Sequence, residues 1–308
     1  MVCPQPIMMG ASQPDWRTRK VAIVIPFRNQ VSYLIRTLES VAATQTGAFD
    51  VHVILIDNAS DEALDTGLVE AMGLRYTLIR NRRNRAVSQP WNLGLRLGFY
   101  EHAAEAVCLL NSDVVLGEGW VEHCVSALDR GAYCSFPFCY TEGGEVTPDF
   151  YERARQASQG RFHQAYFNVL LRRQHAPGED YYADPHFDLT CDPVDMHESD
   201  GFNGYCFWLS RQCIEDLGYI DQNMAICYSD TDYRNRLLTS GHAPICVHSC
   251  LSHHFLSRTL RSFMKTYRGK RRLARDKEHF QRKWPSDYDR AWRIHCIGEL
   301  ARDRHATA

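Results

Sequence analysis

No Gly-x-Gly-x-x-Gly and no G-x-x-x-x-G-K-[S/T] occurs anywhere in this 308-residue chain. Those glycine turns cradle the phosphates of dinucleotide cofactors and of P-loop nucleotides, so hydride transfer on a Rossmann cofactor and P-loop phosphoryl transfer are both disfavoured. The chain has twelve cysteines but no C-x-x-C pair, its tightest spacings being Cys134–Cys139 and Cys246–Cys250, which gives a structural zinc site little support. A chain of this size needs no disulfide scaffold. Buried free thiols, such as Cys108 in AVCLLN and Cys206 in GYCFWLS, fit a reducing cytosol. No apolar run approaches the roughly 20 residues that cross a bilayer. The first twenty residues form a polar leader without the charged start and long apolar core of a signal peptide. A formal net charge of -2 argues against a protein that coats nucleic acid, so the expectation is a cytoplasmic protein, at most peripheral to a membrane.

What the chain does contain is an alternation of two periods. VAIVIPF (21–27) is a continuous apolar, β-branched run, the pattern of a parallel strand buried on both faces. Residues 31–43 have helical apolar spacing, 51–57 (VHVILID) is a second buried strand, and Ser60-Asp61-Glu62 offers a cap and acids for another helix. LRYTLIR (74–80), a helix over 86–101 and AVCLLN (106–111) continue the series. Four strand-and-helix alternations in about 90 residues predict a parallel sheet with helices on both faces. Helix 117–130 and strand 132–138 follow. Residues 141–200 are polar and acidic, apart from a helix near 150–173, and read as an insertion over the carboxyl edge of the sheet. Strand 201–210, helix 211–218, a helix over 230–240 capped by Ser229 and ended by Gly241, strand 243–249 and a basic amphipathic helix over 258–282 complete the pass.

Charge is segregated along this order. Between Glu179 and Asp232 there are thirteen acidic residues and one basic residue, Arg211, whereas Arg258–Lys283 holds eleven Lys or Arg against Asp276 and Glu278. An acidic site region is thus followed by a basic helix that could meet phosphates, a membrane surface or nucleic acid, or simply present a solvated face.

In open parallel sheets ligands bind beyond the carboxyl ends of the strands. The residues there are Pro26–Asn29, Asp57-Asn58, Asn81–Asn84 and Asn111–Asp113. The ordered motifs IPFRN, LIDNASD, NRRNRAVSQPWNLGL and LLNSDVVL resemble the nucleotide-sugar-binding half of the family 2 glycosyltransferases. GFNGYCFWLSRQCIEDLGYIDQNMAICYSDTDYRNRLLTSGH is similar to that family's acceptor-side block. The resemblance covers roughly residues 20–140 and 200–285. It implies an α/β, GT-A-like, Rossmann-related fold: a mostly parallel sheet flanked by helices, with an acceptor-side insertion and a C-terminal helical extension. In that layout 21–140 is the nucleotide-binding half, 141–200 the insertion, 201–257 the acceptor and catalytic part, and 258–308 the basic extension.

The resemblance also assigns roles. Pro26, Arg28, Asn29, Asp57, Asn84, Asn92, Asn111, Ser112 and Arg258 would bind the nucleotide sugar. Asp57 would accept a hydrogen bond from a base N–H or ribose hydroxyl, which suits UDP- or dTDP-sugars, although an Asp there can equally cap the next helix. Asn111-Ser112-Asp113 stands where the family has D-x-D, so Asp113 would hold Mn²⁺ or Mg²⁺ against the leaving diphosphate. His254, or its neighbour His253, would be a further metal or diphosphate contact. Asp230, in Ser229-Asp230-Thr231-Asp232, matches the base that deprotonates the acceptor hydroxyl, and one base opposite the leaving group implies inversion. Asp232 is a secondary candidate that could instead serve the first turn of its helix, and Ser229 replaces a family Glu. Trp91 and Tyr181-Tyr182 could stack on sugar rings, while Trp284 reads as packing. The implied activity is hexosyl or deoxyhexosyl transfer to a glycan, lipid-linked or other hydroxyl acceptor. The alternatives are a sugar-nucleotide pyrophosphorylase, disfavoured because PFRNQ lacks that class's glycine-rich loop, and a non-catalytic sugar-nucleotide-binding module.

Overall fold

The structure is a computed structural model that describes residues 19–142, 152, 194–195, 204–255 and 266–285. The chain opens with β1 (Arg19–Phe27), α1 (Val31–Ala43), β2 (Phe49–Asp57), α2 (Thr66–Ala71), β3 (Tyr76–Arg80) and α3 (Ser88–Arg96). A π-helical turn, Leu97–Glu101, continues α3, and β4 (Ala106–Leu110), β5 (Val114–Leu116), α4 (Trp120–Asp129) and β6 (Cys134–Glu142) follow. After β7 (Val194–Asp195) come β8 (Cys206–Ser210), α5 (Arg211–Leu217), α6 (Ser229–Thr239), β9 (Ile245–His254) and α7 (Tyr267–Lys283).

All the described strands lie in one sheet of order β3-β2-β1-β4-β8-β6-β9-β5, with β7 on β9. The first four are mutually parallel. β8 then runs antiparallel to β4, with Leu110 opposite Cys206. The amino end of β8 therefore lies at the edge where β1, β2 and β4 end, and this reversal is what places the acceptor-side block beside the nucleotide-side motifs.

β1 shows why its run of apolar residues has no polar alternation. Val21, Ile23, Ile25 and Phe27 pack in one cluster with Leu34, Leu38 and Val41 of α1 and with Trp120, Val121 and Cys124 of α4. Ala22 and Val24 point the other way, into a cluster with Trp91, Leu95 and Phe99, Cys213 and Ile214 of α5, and Tyr233 and Leu237 of α6. Each fully buried Val, Ile, Leu or Phe contributes about 1.5–3 kcal/mol of transfer free energy, so both faces must be covered. Gly94 lets α3 lie close on β1: a Cβ there would come within 2.1 Å of a Val24 methyl.

Several expected details shift. Ser60 does not cap α2; Asp65 does, accepting from the Gly67 amide at 2.9 Å. Ser229 is the first residue of α6 rather than its cap, which is Tyr228 in the left-handed region (φ 68°). β5 is a short strand that the sequence did not announce. Its pairing with β9 carries β9 past the expected end at 249 to His254, so both histidines are strand residues. The basic helix starts at 267, capped by Thr266. Residues 1–18, nearly all of the 141–200 insertion with Tyr181-Tyr182, and Arg258 lie outside the described residues. None of the described helices is long and apolar enough to cross a membrane. The nine described cysteines are free thiols.

Candidate donor and acceptor site

The loop after β1 and the loop after β2 are stitched together. Asn29 and Gln30 both adopt left-handed backbone (φ 55° and 57°), which turns the chain sharply into α1. The Asn29 amide donates to Ser60 Oγ at 2.8 Å, and Asn29 Oδ1 accepts from the Asp61 amide at 2.8 Å. Asp57 is 4% exposed at the end of β2. Its Oδ1 accepts from the Ser60 amide at 2.7 Å, and Oδ2 lies 3.4 Å from Arg80 Nε. Asp57 thus caps the turn after its strand and keeps the second carboxylate oxygen at the sheet edge beside a cation. Asn58 gathers the next loop: its amide group donates to Asn84 Oδ1 and the Arg85 carbonyl, and its Oδ1 accepts from Asn81 and the Arg85 amide. Asn84 reaches the edge through Asn58, a residue without an assigned role in the sequence reading. Arg28 stands half-buried beside them, its Nε enclosed without a partner, and Pro26 pairs with Ile56.

Asn92 does not reach this edge. It is 1% exposed, and both ends of its side-chain amide bind the Ile220 backbone, at 2.8 and 3.0 Å. It braces α3 against the loop before α6. Trp91 is likewise core, packed edge-on against Phe207 with centroids 5.8 Å apart.

On the other side of β4, the Gly204-Tyr205 dipeptide connects the remaining groups. The Asn111 amide, leading into Ser112 and Asp113, donates to the Tyr205 carbonyl at 2.7 Å. The Gly204 amide donates to Asp230 Oδ2 at 3.0 Å. The Tyr205 ring stacks on His254 at 4.9 Å, and its hydroxyl is held by the Pro137 carbonyl and Ser252. Asn111 and Asp230 are therefore bonded to adjacent residues of one dipeptide at one sheet edge, and Tyr205 also stacks on His254, the neighbour of Asp113. Gly204 must be glycine for that contact, because a Cβ would sit 2.6 Å from the Asp230 Cβ.

Strand alternation separates the two histidines. His254 is opposite Val114, and its Nε2 lies 3.4 Å from Asp113 Oδ1. His253 points to the other side of the strand, fully buried and edge-on to Phe255. His254 is 6% exposed and neither ring nitrogen makes a hydrogen bond. A buried imidazole with both nitrogens unsatisfied, next to a carboxylate, is the donor set a divalent cation would complete. The described residues hold no cluster of three or more ligating side chains, so the remaining positions would fall to diphosphate oxygens and water.

Asp230 sits in the first turn of α6, half-buried, with Oδ1 accepting from the Thr231 amide at 2.8 Å and Oδ2 from Gly204. Each oxygen keeps a lone pair free. Asp232 has a different fate. It is fully buried: Oδ1 accepts from Trp284 Nε1 at 2.9 Å and lies 2.7 Å from Lys283 Nζ, and Oδ2 accepts from Arg236 Nε at 3.1 Å. It is an anchor for the end of α7 and has no capacity left for a substrate.

α7 holds the loop before α6 at two further points. Asp276, 1% exposed, receives the backbone amides of Ala225, Ile226 and Cys227 on one carboxylate oxygen, at 3.0, 2.7 and 3.1 Å. Asp221 accepts from His279 and Lys283, both at 3.1 Å. Burial pushes the Asp221 carboxyl up, but the Asn223 amide, His279 and Lys283 outweigh it and hold it well below the usual carboxylate range.

Comparisons with known proteins bear on the fold and the family. S. aureus TarS residues 1–349 superpose with a TM-score of 0.52 at 12% identity, covering 87% of this chain and 74% of that one. GalNAc-T7, crystallised with UDP, GalNAc and Mn²⁺, gives 0.56 at 15% identity over 93% of this chain and 54% of the other. The mannosyltransferase PcManGT of Pyrobaculum calidifontis, in complex with GDP-Man and Mn²⁺, gives 0.53 at 16% identity over 97% and 78%. These neighbours share the GT-A fold. An uncharacterized Sinorhizobium fredii protein, y4gI, is 24% identical over 91% of this chain, which spans 29% of that relative's length. The family profile of glycosyl transferase family 2 matches residues 22–217, more than half of the sequence, and the chain belongs to that family.

Proposed function

We propose that the chain is an inverting glycosyltransferase that moves a sugar from a nucleotide diphosphate donor, a UDP- or dTDP-sugar, to an acceptor hydroxyl. The observation that carries this reading is the Gly204-Tyr205 link, which joins the Asp113–His254 pair to Asp230 at the edge where β1, β2 and β4 end. The base and ribose lie against Asp57, Arg28 and the Asn29 turn, with Asn58 and Asn84 shaping the far wall. Asp113 and His254 would hold a divalent cation, Mn²⁺ or Mg²⁺, which would supply positive charge to offset that of the departing diphosphate. Asp230 accepts the proton of the acceptor hydroxyl as that oxygen attacks the anomeric carbon from the side opposite the diphosphate, so configuration inverts.

Neighbours crystallised with UDP and Mn²⁺ or GDP-Man and Mn²⁺ support this class of donor and metal. The test is a thermal-shift screen of nucleotide sugars with and without Mn²⁺, since a ligand of the folded state raises apparent stability. A UDP- or dTDP-sugar should raise the midpoint only with metal, and Asp113→Ala should remove the metal's contribution. Asp230→Asn should keep the shift and lose transfer. A shift in Asp113→Ala that is still metal-dependent would sink the metal assignment. Pyrophosphate release from a sugar 1-phosphate and a nucleoside triphosphate would instead favour a pyrophosphorylase.

A further inference from the structure

α7 carries a stripe of arginines that the proposed chemistry does not use. Arg268, Arg271, Arg272 and Arg275 follow i, i+3, i+4, i+7 spacing, so they share one side of the helix, and all four are exposed. Gly269, Leu273, Asp276 and Phe280 lie about a third of a turn away around the helix and face the protein. The stripe is about 10 Å long at 1.5 Å per residue, and exposed Arg282 extends it to about 21 Å.

Helical cations are normally matched by acids one turn away. Here Asp276 is turned inward onto the 225–227 amides, leaving Glu278 as the exposed acid of α7. None of the four guanidiniums makes an ion pair with a described carboxylate. Four like charges without a described partner raise the free energy of the isolated surface and lower it when an anion is bound. Guanidinium forks match phosphate oxygens in pairs, a fit that an ammonium lacks.

A membrane-surface helix would need an apolar side free to enter lipid. The apolar side of α7 is spent on Met224 and Tyr228, and Tyr267 is its one exposed large hydrophobic residue among those described. The helix is also fastened to the acceptor side of the site, through Asp276 to residues 225–227 and through Trp284 to Asp232.

We propose that the arginine stripe of α7 is a docking track for a linear acceptor that carries phosphate groups along its length, on the helix that anchors the loop leading to Asp230. This rests on the transferase reading and names the acceptor class for it.

The probe is fluorescently labelled inorganic polyphosphate, titrated against the full chain at about 50 to 200 mM salt. Four neutralised phosphates give a slope of about -3 in log affinity against log salt, or roughly 60-fold weaker binding across that range. The fourfold variant Arg268→Gln, Arg271→Gln, Arg272→Gln, Arg275→Gln should lose the binding and the slope, with an unchanged thermal midpoint because the side chains are exposed. The corresponding fourfold Lys variant should keep the slope and bind several-fold more weakly. No binding by the native chain, or equal binding by the Gln variant, overturns the proposal. So does binding to phosphatidylserine vesicles without binding to polyphosphate, which would mark a membrane surface. Donor-induced thermal shift on the same preparations separates the two readings. A donor shift without polymer binding rejects the track and leaves the transferase reading standing. Polymer binding without any donor shift supports an anion-binding track and rejects the acceptor assignment with the transferase reading.

Discussion

Replacing Asp276 should reveal how much α7 contributes to the loop that leads to Asp230. One buried carboxylate oxygen receives three consecutive backbone amides at 2.7–3.1 Å. Hydrogen bonds to a charged acceptor are worth about 1.5–3 kcal/mol each, and three that share one oxygen do not add in full. Asp276→Ala strands one buried and two part-buried amides and should cost about 4 kcal/mol, in the range found on breaking a buried ionic contact. Asp276→Asn keeps an oxygen in place without its charge and should cost about 1–2 kcal/mol. Against a total stability of about 5–15 kcal/mol the Ala variant is a severe loss. At roughly 2.1 cal/mol/K of unfolding entropy per residue, a chain this long loses roughly 1.5 °C per kcal/mol, so the midpoint should fall by about 6 °C for Ala and about 2 °C for Asn. Urea unfolding followed by circular dichroism measures the first quantity and a thermal scan the second. The loop runs directly into Tyr228, whose left-handed backbone starts α6. Transfer by the Asn variant at a temperature where it is fully folded should therefore drop while donor binding holds. An Ala variant within about 0.5 kcal/mol of the native chain, or an Asn variant as unstable as Ala, would refute the clamp.

Two further substitutions probe the site and the sheet. Gly204→Ala places a methyl 2.6 Å from the Asp230 Cβ, so the base must move by several tenths of an ångström; transfer should fall on the order of 100-fold with the donor-induced thermal shift unchanged, and a fully active variant would reject Asp230 as the base. At the opposite edge of the sheet, a cavity of about 160 Å³ lined by Lys20, Asp50, His52, Arg75, Glu101 and His102 holds two stacked imidazoles, His52 and His102, 3.9 Å apart. Burial, then the neighbouring His102 and Arg75, lower the His52 pKa to about 4. Between its ordinary value near 6.5 and about 4, the unfolded chain binds a proton that the folded protein refuses, so stability should decline as pH falls through that window. Because His52 is half-exposed the loss is discounted to about 1 kcal/mol, and His52→Gln should flatten the profile in urea titrations at pH 4.5 and 7.

The parts of this structure that could be read from the residues are those where one period dominates. β1, β2 and β4 are buried on both faces, so their sequences are unbroken apolar runs, and each strand's last residue marks the binding edge. The positions of Asp57, Asn111 and Asp113 at the ends of their strands could be read for that reason. The histidines were ambiguous because their orientation depends on β5, a three-residue strand whose pairing with β9 decides which ring faces Asp113. Short strands that exist only through a partner leave no local signature. Asn92 misled for a related reason: it lies among motif residues, but its partner is the Ile220 backbone, 128 positions away.

Asp276 and Asp232 show how a charge count conceals an architecture. Within the basic run, Asp276 is a minor offset to eleven cations, yet it shares the helix side of Gly269, Leu273 and Phe280. A carboxylate on the apolar side of a helix must find donors or cost several kcal/mol, and that requirement was readable from helical spacing alone. Asp232, three residues before Asn235 on α6, meets the same demand through Trp284, Lys283 and Arg236. The acidic residues of 221–232 consequently divide by their partners. Asp221 and Asp232 are consumed in holding α7, and the half-buried Asp230 between them keeps lone pairs for a substrate. The same fastening turns the arginines of α7 outward, so the buried acids that position the proposed base also set the direction of the proposed acceptor track.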